Sequence, residues 1–175
     1  MRMLVNSGRY GLTRLLPLVL VVSLTACGFH LRGQLDLPAA MAATYIESNG
    51  VNADLVKKLR SSLRGNGAAV TTDRTEATAI LRLLGDTYDR RVLSVGGGRK
   101  IREFELHYAV RFELVELGGD RLVATQTIEL FRDYTYDEND ILGKQGEEAN
   151  IRKDMIREAA DRVLRVIQSG IAKDN

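Results

Sequence analysis

The sequence predicts an α+β domain, a two-layer sandwich with two helices packed on one face of a roughly four-stranded, mostly antiparallel or mixed sheet. Three observations predict it. Phe104, Leu106, Tyr108, Val110, Phe112 and Leu114 alternate with Glu105, His107, Ala109, Arg111 and Glu113. Period two with one apolar face describes a half-buried strand of an antiparallel pair. Ile151, Met155, Ile156, Ala159, Val163, Val166, Ile167 and Ile171 recur at helical spacing, a stripe that must be buried against something. Leu55, Val56, Leu59 and Leu63 repeat that stripe on a shorter scale. Elements with one apolar side each are stable only when those sides cover one another.

The elements follow in order. Residues 27–38 form a short tether. Ala43-Thr44-Tyr45-Ile46-Glu47 has the β-branched and aromatic centre of a first strand, and Asn49-Gly50 breaks it. Asn52 is placed to cap the first helix, whose wet side carries Lys57, Lys58, Arg60 and Arg64. Gly65-Asn66-Gly67 supplies a left-handed stop. Residues 68–76 allow a short edge strand. Ala79 begins a strand that continues through Tyr88 to Val95, before Gly96-Gly97-Gly98 and the basic pair Arg99-Lys100. The alternating strand comes next, then a turn at Gly118-Gly119-Asp120. Leu122, Ala124, Ile128, Leu130 and Tyr134 form the inward face of the following strand, interrupted by Gln126 and Arg132. The last helix is expected over residues 147–170, with Glu147-Glu148 in its first turn, where acids suit the helix dipole.

The N-terminal segment has a different character. Arg2, Arg9 and Arg14 precede an apolar run over residues 15–24, and Leu24-Thr25-Ala26 leads into Cys27, the only cysteine of the 175 residues. A basic head, a short apolar core and small residues at the cut describe a secretory signal. The apolar run is about half the ~20 residues that a spanning helix needs. Leu24-Thr25-Ala26-Cys27 resembles the lipobox of bacterial lipoproteins. That resemblance implies removal of residues 1–26 and a diacylglyceryl-modified, usually triacylated Cys27. Gly28 follows, where an aspartate would commonly signal inner-membrane retention, so an outer-membrane destination facing the periplasm is expected.

Processing would leave 149 residues, the size of one domain over residues 39–175. The 25 basic and 23 acidic residues of the chain give a positive balance only because three arginines lie in the signal. The remainder carries 22 basic and 23 acidic residues, and no clustered basic excess points to nucleic acid. With Cys27 assigned to lipid, no thiol is left for a disulfide, a metal or a nucleophile, and the core must hold the domain by itself.

Catalytic constellations are missing from the sequence. His30 and His107 lack partners at metal-ligand spacing; His107 reads as a sheet-face residue. There is no Gly-x-Ser-x-Gly elbow and no pair of carboxylates that stands out. The sequence calls for no metal and no cofactor. Gly96-Gly97-Gly98 with Arg99-Lys100 precedes a strand rather than the helix a phosphate-binding loop requires. It reads either as a flexible β-connection or as a basic loop tip that meets an anionic partner.

Cys27-Gly28-Phe29-His30-Leu31-Arg32, and the segment from Phe131-Arg132-Asp133-Tyr134 through Leu142-Gly143-Lys144 into the last helix, carry a family resemblance. With the order of helices and strands, they make the chain similar to the lipopolysaccharide-assembly lipoprotein family, LptE. The triple glycine departs from the less flexible loop of many members. The resemblance implies a protein that is not an enzyme. It would sit inside the outer-membrane β-barrel LptD as a plug, help that barrel assemble, and bind lipopolysaccharide. It also implies basic contacts to lipid A phosphates at Lys144, which matches the family position directly, and at Arg99 and Lys100, which are offset by two or three residues. The competing class is a lipid-anchored periplasmic adaptor of another transport or secretion machine, which shares the anchor and the fold but has no barrel partner. An envelope hydrolase is a third class, disfavoured by the missing nucleophile and base.

Overall fold

The structure is a computed structural model that describes residues 37–95, 101–136 and 141–171. Cys27, the triple glycine, Arg99 and Lys100 lie outside the described residues.

Five strands and two helices follow a short 3-10 turn at Ala39–Met41. Strand β1 is Ala43–Ser48, helix α1 is Ala53–Gly65, and β2 is Ala69–Thr71. The long strands β3 (Ala79–Val95), β4 (Ile101–Glu116) and β5 (Arg121–Thr135) come next, and helix α2 is Ile141–Ile171. The sheet order is β2-β1-β3-β4-β5. β1 runs parallel to both neighbours, while β3, β4 and β5 form an antiparallel meander. Parallel neighbours need a crossover, which α1 provides between β1 and β2. The predicted class therefore holds with five strands instead of four. The additional strand is β2, the three-residue edge strand that residues 68–76 allowed.

Local chemistry explains the ends of α1. The Asn52 side chain accepts a hydrogen bond from the Asp54 amide at 2.9 Å. At the other end, the Gly67 amide donates to the Arg64 carbonyl at 3.1 Å and the Ala68 amide to the Leu63 carbonyl at 3.0 Å. These two bonds make a Schellman motif with Gly67 left-handed, at φ +86°. Leu55, Leu59 and Leu63 are fully buried beneath, each contributing about 1.5–3 kcal/mol of burial energy.

The six residues of the predicted apolar alternation in β4, Phe104 to Leu114, face the helices and are buried. β5 departs from the expected alternation. Phe112 pairs with Gln126, but Leu114 pairs with Val123, so two residues of β5 oppose one of β4. That bulge reverses the parity of the strand. Val123 is buried where Leu122 and Ala124 were expected, and Ala124 is exposed.

α2 starts six residues earlier than the periodicity indicated. Gly143 and Gly146 weaken helix propensity there, and the apolar stripe begins only at Ile151. Thirty-one residues span about 46 Å. Its buried stripe is also wider than predicted, adding Ala160 and Leu164. The reason is that α2 packs on α1 as well as on β4 and β5. A Cβ placed on Gly170 would come 3.2 Å from Val123 Cγ2, so the helix lies close against β5.

Candidate functional site

The earlier start of α2 relocates two predicted residues. Lys144 does not precede the last helix; it is the fourth residue of it. Glu147 and Glu148 do not open the helix either. A lysine near a helix N-terminus opposes the macrodipole, and here Glu147 offsets it. Lys144 Nζ donates to Glu147 at 2.7 Å, with the lysine side chain 20% exposed.

Glu148 turns inward and joins the helix to the sheet. Its carboxylate accepts hydrogen bonds from Tyr88 Oη at 2.9 Å, Tyr134 Oη at 2.8 Å and the Arg90 guanidinium at 2.9 Å. Tyr88, Arg90 and Tyr134 belong to β3 and β5, about sixty residues and fourteen residues away along the chain. Burial by itself would raise the carboxyl of Glu148, but the bonds from Tyr134, Tyr88 and Arg90 outweigh it and hold the group below the ordinary carboxylate range. Burial first, and the Glu148 carboxylate second, push the Tyr134 hydroxyl up to about 12 and that of Tyr88 well above its usual value. At neutral pH this cluster has two neutral phenols, one carboxylate and one guanidinium. Every proton in it is held, so it acts as a clamp and not as an acid–base pair.

Aromatic contacts extend the clamp. Arg152 of α2 lies over the Tyr88 ring at 4.5 Å, and Arg90 lies over Phe104 at 4.6 Å. Phe104 stacks on Tyr134 with centroids 5.6 Å apart. A cleft of about 450 Å³ opens beside it between α1 and α2, lined by Asn52, Tyr88, Glu148, Arg152, Lys153 and Ile156 among others. Further in, the Tyr108 hydroxyl donates to Asp86 at 2.8 Å, and the same carboxylate accepts the Asn52 amide at 3.1 Å. The cap of α1 is thus tied to the sheet. Arg132, an apparent interruption on the inward face of β5, pairs with Glu158 of α2.

The opposite sheet face is buried and apolar at the paired Ile80 and Val115, and charged along the far half of β3, β4 and β5. Asp89, Arg91, Arg111, Glu129 and Asp133 project from it and are exposed. His107 belongs to this face, stacked on Phe131 at 4.6 Å and 9°, in keeping with its reading as a face residue. Towards the other end, Glu113 is only 7% exposed. It accepts from Arg82 at 3.2 Å and Thr125 at 3.1 Å, with Arg121 at 3.7 Å. Against the raising effect of burial, those partners hold its carboxyl below the ordinary range. Among the described residues, no three histidine, cysteine or acidic side chains group where a metal could be held. Likewise, no helix among them is long and apolar enough to cross a membrane.

Of the predicted contacts, then, Lys144 is beside the Glu148 clamp, while Arg99, Lys100 and Cys27 fall outside the described residues. The clamp itself escaped sequence reasoning. Its one visible signal was polar residues at inward strand positions, each of which needs a partner when buried.

The chain and its fold resemble known proteins. LPS-assembly lipoprotein LptE of Pectobacterium atrosepticum is 28% identical over 152 residues, covering 86% of this chain and 82% of the relative. The protein of the same name from Photorhabdus laumondii is 27% identical over 154 residues, covering 88% and 83%. Among solved structures, the fold is similar to lipoprotein B from Nitrosomonas europaea, with TM-score 0.67 and 28% identity over 81% of this chain and 91% of that one. It is also similar to rare lipoprotein B from Shewanella oneidensis, with TM-score 0.63 and 27% identity over 75% and 97%. The profile of the LptE family, described as Lipopolysaccharide-assembly, matches residues 35–167. With well over half of its length matched, on the two-helix, five-strand fold described above, the chain belongs to the LptE family of lipopolysaccharide-assembly lipoproteins.

Proposed function

We propose that the chain is a non-enzymatic, lipid-anchored outer-membrane protein that plugs and helps assemble the LptD β-barrel and binds lipopolysaccharide on its way to the cell surface. In this reading acylated Cys27 seats the protein in the periplasmic side of the outer membrane, and the domain sits within the barrel lumen. The observation that carries it is the family match over residues 35–167, on a domain whose second sheet face presents an exposed charged patch. A wide barrel has a polar interior, and a face that alternates Asp89 and Arg91 with Arg111, Glu129 and Asp133 is suited to contact it.

Lipid A phosphates would be met by Lys144, with Arg99 and Lys100 as further contacts. An ammonium has three donors, so Lys144 can keep Glu147 and still take a phosphate oxygen through a charge-assisted bond. Lys144→Glu in the full-length protein is expected to weaken lipopolysaccharide binding about tenfold, the scale of one charged hydrogen bond. Glu147→Gln keeps an acceptor oxygen but removes the competing negative charge, and is expected to preserve or strengthen binding. Titration with lipopolysaccharide, alongside circular dichroism to verify folding, checks both. Unchanged binding by a folded Lys144→Glu variant would remove Lys144 from the ligand site.

A further inference from the structure

Among the described residues, α1 carries a cluster of unmatched positive charge. Lys57, Arg60 and Arg64 are spaced three and four residues apart and therefore share one face of the helix. Among the described residues they have no acidic partner within ion-pair distance. Elsewhere the cations are commonly matched: Lys58 with Asp161, Arg82 with Glu113, Arg90 with Glu148, Lys144 with Glu147. Like charges at these spacings repel and weaken a helix. Only Arg64, in the last turn, is favoured by the helix dipole.

The three side chains line one open cleft of about 650 Å³ between α1 and the β1–α1 connection. Val51, Ala53 and Val56 give it an apolar floor, and no acidic residue lines it. An apolar floor edged by unmatched cations complements an anionic amphiphile. Arginine pairs bidentately with phosphate, and lysine serves as a point charge. The cleft is separate from Lys144, which belongs to α2 and does not line it.

We propose that this cleft binds one molecule of a phosphate-bearing acyl lipid, with the phosphate on Lys57, Arg60 and Arg64 and the chain on Val51 and Val56. The site goes beyond the contacts proposed at Lys144 and does not depend on them.

The test uses the full-length protein in nonionic micelles doped with dodecyl phosphate, followed by phosphorus NMR line broadening. The wild-type protein is expected to broaden the signal, and Lys57→Gln/Arg60→Gln/Arg64→Gln to weaken binding at least tenfold. All three positions are exposed, and an unchanged melting curve verifies the fold. Arg91→Gln/Arg111→Gln on the open sheet face is expected to leave binding intact. Inorganic phosphate is expected not to bind measurably, because it lacks the chain. Three results would overturn the site: equal dodecyl phosphate binding by wild type and triple variant, no binding by either, or an equal loss in the sheet-face variant. Inorganic phosphate that binds as well as dodecyl phosphate would overturn the lipid assignment. A protein that holds dodecyl phosphate through this row but takes no lipopolysaccharide leaves the site standing and refutes the ligand part of the proposed function.

Discussion

Cys27→Ser is expected to abolish incorporation of labelled palmitate into the protein. With residues 1–26 exchanged for a conventional cleavable secretion signal, the same variant is expected to leave the membrane and appear in the soluble periplasmic fraction. The magnitude follows from chain burial. Each buried methylene contributes about 0.8 kcal/mol, and a single acyl chain already gives marginal binding. Two or three chains on one cysteine therefore make the difference between essentially complete anchoring and none. No helix among the described residues could replace them by crossing the bilayer. Palmitate labelling and fractionation together check the result. A serine variant that still carries palmitate would refute the assignment of Cys27.

Glu148→Ala is expected to be the most destabilising substitution among the polar residues. It removes the acceptor of Tyr88, Tyr134 and Arg90 at one stroke. Each buried donor left without a partner costs about 1–3 kcal/mol. Because the Glu148 side chain is still 20% exposed, water can replace part of the loss, and a total of about 2–4 kcal/mol is expected. For a domain of this size that lowers Tm by roughly 6–12 °C. Glu148→Gln keeps an acceptor oxygen but loses the charge, and should fall between alanine and wild type.

The same clamp determines the sign of the pH dependence. Glu148 and Glu113 have folded carboxyls below their unfolded value. Their contribution is present above the unfolded pKa of about 4.3 and is lost as pH falls through the lower folded value. On the alkaline side, Tyr134 titrates at about 12 in the fold and near 10 unfolded. Its contribution is complete below about pH 10 and declines as pH rises towards about 12. Thermal melts at stepped pH should show both losses, with the acid-side slope reduced in Glu148→Ala. An alanine variant that melts like wild type would mean that the clamp adds nothing to stability.

The legible part of the fold was local. The alternation of Phe104 to Leu114 identified β4 because each step shows its face in one residue type. Asn52 and Gly67 marked the ends of α1 because capping is decided by neighbours within one turn. The bulge opposite Glu113 was not legible, since extra residues in a strand are seen only against the register of its partner. The opening of α2 was hidden by Gly143 and Gly146, whose low helix propensity is overcome by the rest of a long helix. For the site, Lys144 could be located by family likeness but not its pairing with Glu147, which needs the helix to be in place. Glu148 was beyond reach because its donors come from β3 and β5. Arg132 on an apolar strand face was the warning that α2 held acids to meet it.

The plug reading is tested most directly by capturing the full-length, tagged protein from detergent-solubilised outer membranes. A large partner in equal amount, with gel mobility that changes on boiling as that of a closed β-barrel does, is the predicted result. Recovery of the protein alone, or with inner-membrane components, would contradict it and favour a lipid-anchored adaptor instead.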